Sequence, residues 1–147
     1  MSKPEFVYVI HIEAPRARVW EALTTGEQTV LFWTRYVQSQ WSVGARVEFL
    51  REDRKTLSHD GVVLEIDPPR RLVMTFDVSP EGFAEPASRV TYELKEAKAG
   101  TQLKVIHEGF PPGSKVLLSI SEGWPAILSS MKTYLETGRP MGAACSA

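Results

Sequence analysis

The segment SKVLLSISEGWPAILSSMKTYLETG, residues 114–138, decides the fold. Leu117, Ile120, Trp124, Ile127, Leu128, Met131 and Leu135 recur at the three- and four-residue spacings of one helix face. The stripe keeps its phase across Gly123-Trp124-Pro125. The spacing therefore predicts one long helix, kinked at Pro125, where the ring removes a backbone donor and crowds the preceding turn. A shorter helix starting near Pro125 is the alternative. A stripe holding a side chain as large as Trp124 needs a broad apolar surface to cover it.

That surface lies upstream, where the period changes to two. Residues 6–12, FVYVIHI, are β-branched and aromatic and predict a strand. In residues 14–23, APRARVWEAL, Pro15 suits a first helical turn, and Val19, Trp20 and Leu23 share a face. Thr25 and Gln28 have capping-box spacing ahead of Val30, Leu31, Phe32 and Trp33, which predicts a second short helix. Alternating segments follow at residues 45–52, 61–66, 71–78, 88–96 and 101–110. They place Val47, Phe49, Leu72, Met74, Phe76, Val78, Val90, Tyr92, Leu94, Leu103, Val105 and His107 on inward faces. One-sided alternation of this kind marks an antiparallel sheet. Asp67-Pro68-Pro69-Arg70 and Ala99-Gly100 read as turns, and Pro111-Pro112-Gly113 ends the sheet. The order is strand, two short helices, further strands and a long helix. It predicts an α+β domain with about six strands, curved around the C-terminal helix.

The chain's 147 residues suit one domain, with an ordered core near 5–137 and a loose tail over 138–147. A composition 43% hydrophobic and 24% charged is that of a soluble globular protein. The net charge of −1, with both signs interspersed, gives no nucleic-acid footprint. No apolar run is long enough to span a membrane, and residues 1–9 lack signal-peptide features, so a cytoplasmic protein is expected. Cys145 is the only cysteine, which excludes an internal disulfide. Asparagine is absent, which excludes N-glycosylation.

The order and spacing of many short pieces resemble a known family. These are Ala14-Pro15 with residues 19–24, Trp33, Val43-Gly44, Gly61 with residues 65–72, residues 90–94, Gly100-Thr101 with Leu103, residues 107–110, and Gly123-Trp124 with Leu128, Met131-Lys132 and residues 134–136. Together they resemble bacterial members of the family named for the activator of the 90-kDa heat-shock-protein ATPase, within the START-like superfamily of helix-grip folds. Pro125 departs from the family pattern. The resemblance implies a seven-stranded antiparallel sheet gripping the last helix, with a hydrophobic cavity between them. The eukaryotic activator carries a further N-terminal domain. Here the first strand is expected near Phe6, so that domain is expected to be absent and ATPase activation does not follow from the family name.

No phosphate loop, dinucleotide fingerprint or nucleophile elbow is present. His11, His59 and His107 stand without a second ligand at metal spacing, so neither a metal nor a cofactor is expected. The phase places His11 outward and His59 at a solvated strand start. His107 falls inward, either as a hydrogen-bonded core histidine or as a polar group in a ligand cavity. Strand and helix phases place Phe49, Phe76, Tyr92, Val105 and His107 on one wall of the expected cavity, and Trp124, Leu128 and Met131 on the other. The function expected is the binding of a small apolar or amphipathic molecule. Two rivals are a co-chaperone-like protein-interaction module and a cyclase or dehydratase using His107 with Tyr92.

Overall fold

The computed structural model describes residues 5–139 and Met141. The elements in chain order are β1 (Glu5–Ile12), α1 (Arg16–Thr24), α2 (Gly26–Trp33), β2 (Tyr36–Ser39), β3 (Arg46–Leu50), β4 (Leu57–Asp67), β5 (Arg71–Phe76), β6 (Ser88–Ala97), β7 (Gly100–Glu108) and α3 (Lys115–Thr137). A 3₁₀ turn at Ser79–Glu81 interrupts the path from β5 to β6.

The strands form one seven-stranded antiparallel sheet in the order β1-β7-β6-β5-β4-β3-β2. Its strand alternation is visible in β7, where Thr101, Leu103, Val105 and His107 are buried and the residues between them are partly exposed. β1 joins β7 across the chain's length, and α1 and α2 span the distance to β2 at the opposite edge. The sheet curves around α3, so that the α3 stripe and the inward faces of the strands form one core.

α3 is continuous through Pro125, and the shorter alternative is not adopted. The missing amide at Pro125 costs one helical hydrogen bond, but tertiary burial of the stripe outweighs that local loss. Both helix ends are fixed. At the start, Ser114 Oγ accepts from Leu117 N at 2.9 Å and donates to the Glu85 carboxylate at 2.6 Å. The same carboxylate accepts from Lys115 N at 2.8 Å, and the Ser114 bond above all holds its pKa below the ordinary value. A carboxylate there satisfies amides the helix cannot pair and faces the positive end of its dipole. At the other end, Glu136 accepts from Glu13 N at 2.7 Å and Lys132 Nζ donates to His11 O at 2.6 Å, tying α3 to β1. Gly138 closes the helix at φ +83°, donating to Tyr134 O. The expected loose tail falls, apart from Gly138, Arg139 and Met141, outside the described residues, and Cys145 with it.

Three details differ from expectation. β2 carries no sequence alternation long enough to reveal it and exists through pairing with β3. The capping box at Thr25 does not form: Thr25 makes no side-chain cap, and the Gln28 amide donates instead to Glu21 Oε1 at 2.6 Å. β4 begins at Leu57 rather than Gly61, which turns His59 inward.

Gly61 marks a close crossing between β4 and β5. A Cβ there would fall 1.9 Å from the Thr75 carbonyl oxygen, which backbone must move to relieve. Gly61→Ala should therefore destabilise the protein by about 1–3 kcal/mol in urea denaturation. An unchanged midpoint would mean that the two strands are not so closely apposed.

Candidate functional site

α3 contributes Val116, Ile120, Gly123, Trp124 and Ile127 to one wall of a cleft of about 480 Å³. They lie on one helix face by the three-to-four-residue repeat. Trp33 at the end of α2, Phe76 at the end of β5, and Val78 and Phe83 beyond it line the facing side. Ser119 and Glu122 also line it. One end is polar and is made by Arg35, Ser58, His59 and Glu81. The cleft is thus a mostly aromatic and aliphatic slot with a few convergent polar groups, the usual make-up of a small-molecule site.

Of the eight residues placed on the expected cavity walls, Phe76 and Trp124 line the cleft. Phe49, Tyr92, Val105, His107, Leu128 and Met131 do not line it and pack in the buried core. The helix phase located the stripe but not how close-packed the sheet would be against its middle. The expectation that His59 is solvated is corrected: it is 4% exposed and lines the cleft. The signal was present, because His59, Gly61 and Val63 share a period of two and are all buried. Reading the strand from Gly61 onward hid it. Arg35, Glu81 and Phe83 lie outside strands and α-helices and Ser58 at a strand start, where no periodicity separates cleft from surface, and Gly123 shares the face of the α3 stripe but has no side chain for an apolar pattern to mark.

The mechanical centre of this region is buried. The Trp124 indole N–H donates to His107 Nδ1 at 3.1 Å, so that nitrogen is an acceptor and the proton of the neutral ring sits on Nε2. Nε2–H then donates to Ser88 Oγ at 2.7 Å, and the Ser88 hydroxyl donates to Phe76 O at 3.3 Å. The Trp124 indole N–H, both His107 nitrogens and the Ser88 hydroxyl thus all have partners. With both nitrogens engaged, His107 is not placed to act as a base beside Tyr92. Burial lowers the His107 pKa to about 3 and raises that of the Tyr92 hydroxyl.

The polar end is organised by charge. Arg35 follows Thr34, which closes α2 in the left-handed region at φ 60°. Arg35 Nη1 donates back to Thr34 O at 3.0 Å, and its Nε donates to Ser58 Oγ at 2.8 Å. Glu81 Oε2 accepts from Ser58 Oγ at 3.0 Å and from Arg51 at 3.3 Å, and lies 3.7 Å from Arg35 Nη2. Burial lowers the Arg35 pKa, and Glu81 opposes that shift. His59 is stacked on Phe49 at 4.3 Å and edge-on to Phe76 at 4.6 Å. Burial first, then the Arg35 charge, lowers its pKa to about 3. Among the described residues no cluster of three or more His, Cys, Asp or Glu could hold a metal ion, and no helix is long and apolar enough to cross a membrane.

Two outcomes follow from the buried histidines. Trp124→Phe keeps most of the apolar volume but strips His107 Nδ1 of its donor, and should cost about 1–3 kcal/mol in urea denaturation. A loss below about 0.5 kcal/mol would show that the bond does not hold α3. The folded state keeps His59 and His107 neutral while the unfolded chain protonates them near pH 6.5. Stability is therefore full above pH 6.5 and falls as the pH drops toward about 3, by up to ~1.4 kcal/mol per pH unit for each ring. Denaturation midpoints measured from pH 6.5 to 5, above the main carboxylate range, should fall steadily. A flat profile would contradict the burial of both rings.

The model of the family described as Activator of Hsp90 ATPase homolog 1-like protein matches residues 13–136. No curated protein matches the chain. Among solved structures, a protein of Staphylococcus saprophyticus superposes with a TM-score of 0.76 at 24% identity, over 94% of this chain and 96% of that one. A protein of Colwellia psychrerythraea described as an Aha1 dimer gives 0.75 at 19%, over 92% and 98%. DynU16, described as belonging to the dynemicin biosynthetic locus, gives 0.72 at 23%, over 92% of this chain and 48% of that one. At these identities the likeness establishes the fold.

Proposed function

The chain belongs to the Activator of Hsp90 ATPase homolog 1-like family, and we propose that this member binds a small apolar or amphipathic molecule in the cleft beside α3. Gly123 carries the proposal. It lies inside α3, among the side chains of the cleft wall, and a Cβ built on it meets nothing within 4 Å. A glycine in a helix interior costs roughly 1 kcal/mol relative to alanine. Neither a positive φ nor a close neighbour requires it. What it provides is room, flanked by Ile120, Trp124 and Ile127. An apolar molecule in that room gains about 25 cal/mol per Å² of apolar surface withdrawn from water. DynU16, the neighbour described as belonging to a biosynthetic locus, lends general support to a small-molecule role.

The enzyme reading loses its proposed base, because His107 is committed to Trp124 and Ser88. A protein-interaction reading draws on Val7 and Val9, which are 49% and 44% exposed on the outer side of edge strand β1. The cleft is favoured because it joins apolar walls, polar groups and a glycine that leaves it open.

The variants at Gly123 separate stability from binding. Gly123→Ala should raise stability by about 0.5–1 kcal/mol through helix propensity alone. Gly123→Phe should stay folded, fill the cleft and abolish the thermal shift that apolar aromatic compounds give the native chain. A Gly123→Phe protein that still responds to the same compounds would place their site elsewhere.

A further inference from the structure

The polar end of the cleft contains one buried atom that the fold leaves unmatched. Ser58 Oγ sits within hydrogen-bonding distance of three groups: Arg35 Nε, Glu81 Oε2 and His59 Nδ1, at 2.8, 3.0 and 3.2 Å. A serine hydroxyl has one proton to give. Arg35 can only donate to it, and the Glu81 carboxylate can only accept. The proton therefore goes to Glu81, where the bond is charge-assisted. His59 Nδ1 must then bring its own proton and donate to Ser58 Oγ. That assigns the tautomer and leaves His59 Nε2 as a bare lone pair. This atom is buried and has no partner, whereas both nitrogens of His107 are matched. A buried polar atom without a partner calls for an explanation in a sheet that satisfies the neighbouring histidine fully.

We propose that His59 Nε2 is the ligand's hydrogen-bond acceptor, and that the cleft takes a flat, neutral aromatic molecule bearing a hydroxyl group, of the phenol or naphthol type. The inference rests on the cleft being a ligand site, and it specifies which chemistry that site accepts. Charge decides between the candidate head groups. Arg35 and Arg51 already share Glu81, and Glu52 also acts on Arg35, so the end of the cleft is balanced. A ligand carboxylate would be desolvated beside Glu81, and a ligand cation beside Arg35 and Arg51. Neither has an uncompensated partner at this end of the cleft to repay that cost, and Glu122, the other carboxylate of the lining, is solvent-exposed. A neutral hydroxyl loses little and supplies the missing donor. The walls select the rest of the molecule. Trp33, Phe76 and Trp124 offer ring faces and edges suited to a flat aromatic body. His59 Nε2 is buried, with the rings of Trp33 and Phe76 centred 5.8 and 4.6 Å from the imidazole, so in this proposal the hydroxyl reaches it by displacing one of those rings.

The test compares 2-naphthol, 2-methoxynaphthalene and 2-naphthoic acid by calorimetry on the full chain, with nitrogen NMR of labelled histidine. 2-Naphthol should bind about tenfold tighter than either relative, since only it can donate to a buried acceptor. His59→Phe should abolish that preference, bringing the affinities for 2-naphthol and its methyl ether within about twofold of each other. In the native chain the NMR signal of His59 Nε2 should be that of an unprotonated nitrogen, and it should move on adding 2-naphthol but not the ether. Equal binding of naphthol and ether overturns the hydroxyl proposal while the cleft remains a ligand site. Preference for the acid overturns it in favour of an anion. Failure of all three to bind, with the Gly123→Phe variant indistinguishable from the native chain, overturns the cleft itself. A proton found on Nε2 overturns the tautomer assignment whether or not the His59 variant folds.

Discussion

The bond from the Trp124 indole to His107 Nδ1, 3.1 Å long and fully buried, fixes how the last helix sits on the sheet. Apolar burial alone would let α3 rotate or slide with little penalty, because the hydrophobic effect has no direction. A single donor aimed at a single acceptor does have one. The bond is matched on its far side through Ser88 to the end of β5, so moving α3 would strand a chain of buried polar groups. Once Trp124 is set, the helical repeat dictates the rest. Leu128 and Met131 fall into the closed core, and Gly123 falls beside the open cleft. Core and cleft are two consequences of one rotational setting.

The layer order, the inward residues of the longer strands and the long helix are legible because each depends on periodicity, and periodicity survives in a single sequence, whereas β2 with its buried Val37 is too short to show it. His107 and Trp124 were both read as inward, but nothing in the sequence pairs them: their contact joins β7 to α3 across 17 positions. Of the residues that the sequence places on cavity walls, Phe76 and Trp124 line the candidate cleft, where it shares the core's phase. His59 was missed through a strand boundary drawn four residues late, and boundaries are the weakest part of such readings. Arg35 and Glu81 could not have been found. They reach the cleft from a left-handed turn after α2 and from a 3₁₀ turn after β5, and neither turn has a repeat to betray which way it points. The Pro125 departure has little consequence for the fold, because burial along the stripe holds the helix continuous through it.

Family membership sets the fold without setting the task, and in the proposed reading the two ends of the cleft divide that task between them. The apolar walls near Gly123 would supply affinity that any compact hydrophobic molecule can use. Arg35, Ser58, His59 and Glu81 would supply orientation, and they are held by contacts with one another. Such preorganisation reduces what a ligand must spend on ordering its own site. Burial, which lowers the His59 pKa to about 3, keeps that ring neutral at neutral pH. Under the proposed reading this chemistry serves binding and orientation.

The most direct measurement is native mass spectrometry of the chain and of its Gly123→Phe variant, both isolated from the source organism under the same gentle conditions. The account predicts that the native chain carries an additional small-molecule mass that the variant lacks, since only the native cleft has room for it. The same added mass on both proteins, or bare masses for both, would contradict the claim that the space beside Gly123 is a ligand site.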